Sequence, residues 1–144
     1  MGARRIFLWG AIASAVVAAV GGFGPWASVL DVVSVHGTDG DAGGWWVIGA
    51  AIVAVMLLVL QDRKHMGAAP ALVALLAALI ASTVAISNWV DLRRTTDELG
   101  FIESEWGIYL ATIGSVALVA ACIALVVTSP PTGIPGPAPP QGGS

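Results

Sequence analysis

The residues most suggestive of chemistry in the first half of this chain lie in its least apolar stretch, SVHGTDGDAGGWW, Ser34 to Trp46. His36, Asp39 and Asp41, with Asp31 just upstream, offer the imidazole nitrogen and carboxylate oxygens that ligate cations. Asp39, Asp41 and Gly44 also follow the D-x-D-x-x-G opening of a calcium loop. That loop needs an acid at its twelfth position, and counting from Asp39 the twelfth residue is Ala50, inside an apolar run. An EF-hand is thereby excluded. The stretch is expected to be a solvated turn that caps the following helix, with a looser cation site from Asp31, His36, Asp39 and Asp41 as the alternative. The remaining reactive residues stand apart. His65 has no nucleophile or ligand set beside it, and the single cysteine, Cys122, rules out an intrachain disulfide or a cysteine-paired zinc site. No catalytic residue and no cofactor is predicted, and the chain is not expected to be an enzyme.

The elements that carry these residues follow from composition. Of 144 residues, 57% are hydrophobic and 10% charged, where a soluble domain carries roughly a quarter charged residues. The apolar residues gather into uninterrupted runs at about 6–23, 45–60, 68–89 and 107–127. At 1.5 Å rise per residue the runs reach about 24 to 33 Å, against a hydrocarbon core of about 30 Å. The sequence therefore predicts an all-α membrane protein with four transmembrane helices arranged as two antiparallel hairpins. Residues 1–128 form the membrane domain. The tail SPPTGIPGPAPPQGGS, 129–144, holds six of the eight prolines and no charge, so it is expected to be disordered.

Charge sets the expected orientation. Arg4 and Arg5 precede the first run, and Arg63 and Lys64 occupy the connector between the second and third. By the positive-inside rule these four anchor the cytoplasmic face, which puts both termini in the cytoplasm of a multi-pass protein of the cell membrane. The start, RRIFL, resembles a twin-arginine export core, but such signals carry soluble cargo and here three more spans follow. The two remaining connectors, rich in acids, become the outer loops. Trp26, Trp45, Trp46, Trp89 and Trp106 fall where the runs meet those loops and are predicted interface anchors.

Inside lipid, small residues must let the helices approach. Gly10, Ser14, Ala18 and Gly22 recur every four residues in the first helix, and Gly107, Ala111 and Ser115 in the fourth. The third offers Ala74, Ala78 and Ser82 beside Ala77, Ala81 and Ala85. None of the four runs contains Asp, Glu, Lys, Arg or His, which argues against a proton relay or ion-coupled transport.

The first outer loop is rich in β-branched residues between Val29 and Thr38 and then in glycine, the pattern of a short strand or hairpin. The second, VDLRRTTDELGFIESEWG, reads as a short amphipathic helix capped by Thr96, with Leu92, Leu99, Phe101 or Ile102 dipping into the interface. Arg93 with Asp97 and Arg94 with Glu98 stand at the spacing of helical ion pairs. The two halves of the chain also echo each other, as a weak duplication of a helical hairpin.

Pro25 to Gly49, with its tryptophan after proline, its β-rich segment and its G-T-D-G-D turn, and Trp106 to Val119, WGIYLATIGSVALV, resemble small four-helix integral membrane proteins of unknown function from actinobacteria. The resemblance implies fold and location, not activity. The topology is also similar to claudin-type proteins, but the paired cysteines of their first outer loop are missing here. The expected function is that of a non-enzymatic structural or accessory membrane protein acting through helix packing and its outer loops. The alternative is a small oligomeric transporter or a holin-like pore. The lipid bilayer is the expected partner, with other membrane proteins or further copies of the chain beside it. A formal charge of −3 argues against nucleic acid.

Overall fold

A computed structural model describes residues 2–30, 32–40, 43–64, 68–100 and 102–129. The elements in chain order are α1 (Ala3–Phe23), β1 (Pro25–Val29), β2 (Val33–His36), α2 (Gly44–Lys64), α3 (Ala69–Leu99), β3 (Ile102–Ser104) and α4 (Trp106–Thr128). All four helices are long and apolar enough to cross a membrane. The proline-rich tail beyond Ser129 lies outside the described residues.

Each helix stops where its sequence removes the means to continue. The N–H of Gly24 closes α1 on the carbonyls of Val20 and Gly21, and Pro25 cannot extend a helix. Pro70 sits in the first turn of α3, where no N–H is needed. From there α3 runs 31 residues without a break, well past the expected end at Trp89. The loop helix expected to start at a Thr96 cap is the continuation of α3, and the Thr96 hydroxyl donates back to the Leu92 carbonyl inside it. The reason is local: between Trp89 and Leu99 there is neither glycine nor proline, so backbone helicity outlasts apolar character. Gly100 ends α3 with φ 68°, the left-handed geometry that glycine adopts at no steric cost.

The helices form a ring in which chain neighbours pack together and α1 closes against α4. That closing seam is the most extensive of the helix interfaces. A Cβ added at Gly21 would strike the backbone of Leu110 and Ala111, and one at Gly114 would strike Ala18. Rising numbers in one helix thus meet falling numbers in the other, so the two run antiparallel with backbones in contact. Such proximity gives dispersion contacts that larger side chains would prevent.

Along α1 the buried residues are Ala11, Ala15, Ala18, Gly21 and Gly22. The expected stripe of Gly10, Ser14, Ala18 and Gly22 divides: Gly10 is exposed with open space around it, while Ser14 bonds to the Gly10 carbonyl. A strict spacing of four drifts about 40° per step on a helix of 3.6 residues per turn, so Gly10 and Gly22 point about 120° apart. Spacings that alternate between three and four keep one face. On α4, Gly107, Ala111 and Ser115 are all buried, with Gly114 joining them.

Two apolar clusters fill the ring. One, lower in the bundle, joins Ala11, Ala15, Leu58, Ala74, Ala78, Leu118, Cys122 and Leu125. The other, toward the strands, joins Ala18, Trp26, Val47, Ala81, Ala85, Ile108 and Ala111. Outward, every helix shows large apolar side chains: Val16, Ile52, Leu76 and Ile113 are each more than half exposed. Continuous apolar surface of this kind is foreign to a monomer in water.

Candidate functional site

The three strands lie at one end of the bundle and form one antiparallel sheet in the order β2-β1-β3. Both connectors expected to be separate outer loops therefore meet in a single structure. β1 leaves α1 directly, turns back as β2 through Leu30, and pairs on its other side with β3, Val29 opposite Ile102 and Ala27 opposite Ser104. The Glu105 N–H donates to the Trp26 carbonyl, which ties the entry of α4 to β1. On the other side Gly37 donates to the Gly24 carbonyl and accepts from the Gly44 N–H, so β2 delivers the chain to the start of α2 beside the end of α1.

Trp26 is the plug of this end. Its ring is 4% exposed and its Nε1–H donates to the Gly21 carbonyl at 2.9 Å. The expectation of an interface anchor is corrected: the residue belongs to the protein interior, held there by a hydrogen bond to a carbonyl in the last turn of α1 that also accepts from the Gly24 N–H. Trp45, Trp46 and Trp106 are half or more exposed around the same end. Trp45 is fixed by an Nε1–H bond to the Thr38 carbonyl at 3.1 Å and by edge contact with Phe23. Trp89 is partly buried, and the Arg93 guanidinium lies 5.0 Å from its ring centre.

The cation-site candidates separate. Asp31 and Asp41 lie outside the described residues. His36 and Asp39 come together within one turn, where an Asp39 oxygen accepts from the His36 N–H at 2.7 Å and stands 3.4 Å from its Nδ1. That carboxylate stabilises the turn in the manner usual for Asp. Among the described residues no group of three or more cation-ligating side chains forms.

The charge anchors gather at the opposite end. Arg4 and Asp62 pair at 3.6 Å across α1 and α2, and Arg5 and Arg63 share a shallow groove with Trp9. Lys64 ends α2, its side chain outside the described set. Bases thus dominate the arginine end, whereas the segments of the sheet end carry eight of the nine acids against Arg93 and Arg94.

The ion pairs expected on the second connector do not form. Among the described residues neither Arg93 with Asp97 nor Arg94 with Glu98 is joined, because the Arg-first order is the weaker one and Trp89, one turn back, offers Arg93 its ring face. Between α3, β3 and α4 this leaves a polar cleft of about 420 Å³ lined by Arg93, Thr96, Asp97, Glu103, Ser104 and Tyr109. The cleft was not evident from the loop residues alone. Its one legible signal is the Trp89–Arg93 spacing of four, which places both on a common face once α3 is known to continue.

A second hollow, of about 550 Å³, is apolar and open on the side of the bundle, with Trp45 and Trp46 at its mouth and Gly49, Ala77 and Ile80 in its wall. The sheet end thus carries hydrogen-bonding groups, carboxylates and the guanidinium groups of Arg93 and Arg94 over an apolar body. No protein-family model, curated protein or solved structure matches the chain.

Proposed function

We propose that the chain is a four-span protein of the cell membrane whose sheet end forms a rigid extracytoplasmic head and whose arginine end, with both termini, lies in the cytoplasm. The observation that carries this reading is the union of both connectors in one sheet sealed by Trp26. A built surface is preorganised for contact, and ordering costs are removed before any partner arrives. The apolar collar of the helices is suited to hydrocarbon, and the division of bases and acids between the two ends fits the positive-inside rule. The four tryptophans left exposed, three at the sheet end and Trp9 at the other, are consistent with this reading, in which they would lie at the two interfaces where tryptophan concentrates.

The role that fits is non-enzymatic: a structural or accessory protein that associates with lipid and other membrane components through its helices and head. Its relationship would lie with the small four-helix membrane proteins it resembles. Alanine and leucine pack the interior of the ring at 0% exposure, at Ala11, Ala74, Ala78, Leu58 and Leu118, which argues against a channel through a single bundle and leaves a pore between copies as the alternative to test. Reconstitution tests it. The purified chain should float with liposomes, resist alkaline extraction and leave an entrapped dye inside. Leakage in proportion to protein would instead support an oligomeric pore.

A further inference from the structure

We infer that the polar cleft between α3, β3 and α4 is a binding site for a lipid headgroup that joins a phosphate to a primary amine. The inference rests on the membrane reading above. Arg93 is one of two bases at the acidic end, makes no ion pair among the described residues, is held by its stacking on Trp89 and lines the cleft. A guanidinium so placed presents its N–H fork to a phosphate.

Depth supports the assignment. With Trp89 and Trp106 at the membrane boundary, Arg93 stands about 6 Å and Asp97 about 12 Å beyond it along α3, while Tyr109 lies one turn inward on α4. A headgroup layer is about 5 to 8 Å thick per leaflet, so Arg93 falls within it, while Asp97 starts beyond its water edge and leans back toward it, because helical side chains tilt toward the helix N-terminus. From hydrocarbon to water the wall therefore offers a phenol, a guanidinium and then a carboxylate, with Glu103 and Ser104 of β3 opposite. That order matches glycerol ester, phosphate and amine.

The carboxylates select among headgroups. Asp97 and Glu103 accept N–H hydrogen bonds, which a primary ammonium donates and a trimethylammonium does not. A quaternary amine would prefer an aromatic face, and Arg93 already covers that of Trp89. An anionic headgroup without an amine would face the two carboxylates uncompensated.

The test uses the full chain in nanodiscs of phosphatidylethanolamine, phosphatidylcholine and phosphatidylglycerol in equal amounts, with native mass spectrometry of the lipids that stay bound. Phosphatidylethanolamine should be retained about tenfold over each of the others, the gain expected of one charge-assisted contact. R93Q should abolish the preference, and R93K, which keeps the charge but loses the fork and the stacked plane, should lower it several-fold; a preference unchanged in R93K overturns the role of the guanidinium. D97N with E103Q should keep binding but make the ethanolamine and choline lipids equal. Should R93Q fail to fold by near-ultraviolet circular dichroism, R93K and the carboxylate variant still decide. Equal retention of the three lipids by the wild type overturns the inference, as does an unaltered preference in D97N with E103Q. Displacement of the lipid by millimolar O-phosphoethanolamine would make the free compound the ligand and overturn the lipid assignment. A chain that does not enter the nanodiscs at all refutes the membrane reading instead.

Discussion

At the sheet end α1 and α4 touch backbone to backbone through Gly21 and Gly114, Gly107 meets the backbone of Gly24 and Pro25, and an indole fills the space above them; toward the arginine end the packing is between side chains such as Ala11, Ala15, Leu118 and Cys122, and Gly10 faces open space. The first arrangement tolerates almost no added atoms. The second is joined across α1 and α2 by an exposed ion pair, Arg4–Asp62, of a kind worth about 0 to 1 kcal/mol. Apolar composition, which both ends share, therefore says nothing about where the helices fit one another specifically. Where the fold is specific depends on where glycine, tryptophan and strand pairing coincide.

Substitutions at matched positions of the two ends measure this contrast. The largest effect is expected from Gly21→Leu, whose side chain would force α4 away and remove both the seam and the floor under Trp26. A loss of about 3 kcal/mol or more, at the upper end for overpacking, should appear as unfolding in mild detergent. Gly10→Leu, with nothing within 4 Å of its Cβ, should shift the melting temperature little. Equal losses at the two positions would contradict the contrast.

Trp26→Ala should cost about 3 to 5 kcal/mol, as for other buried aromatic truncations. Trp26→Phe keeps the apolar body but loses the bond to the Gly21 carbonyl, for about 1 kcal/mol. Thermal melts of both, set beside Trp9→Ala at the arginine end, separate the plug from an interface tryptophan. A Trp9→Ala loss as large as that of Trp26→Ala would remove the distinction. Smaller still, Arg4→Gln should change stability by about 1 kcal/mol or less, and the change should shrink further in high salt.

The spans, the glycine and proline stops and the division of charge were legible because each depends on residues close in sequence. Trp26 was not. Tryptophan near a helix end signals the interface, and only the return of β2 and β3 over that position puts it inside. β3 is three residues long and pairs with a strand more than 70 positions earlier, so no local pattern could announce it. The length of α3 was missed for a different reason: hydropathy marks where lipid ends, and helix persists until Gly100 provides a stop. On the candidate site, Arg93 and Asp97 were visible as a helical pair but assigned to each other. The competing ring of Trp89 became apparent only with the helix continuous beneath both.

In the proposed topology the sheet end and the arginine end lie on opposite sides of the membrane. Single cysteines at Ser34, on the exposed β2 strand, and at Arg63, near the end of α2, can be probed with a membrane-impermeant maleimide. Cys122 is fully buried in the packed bundle and should stay silent. In intact cells Ser34→Cys should react and Arg63→Cys should react only after the membrane is opened. Reaction at both positions in intact cells, or at Arg63→Cys alone, would contradict the account.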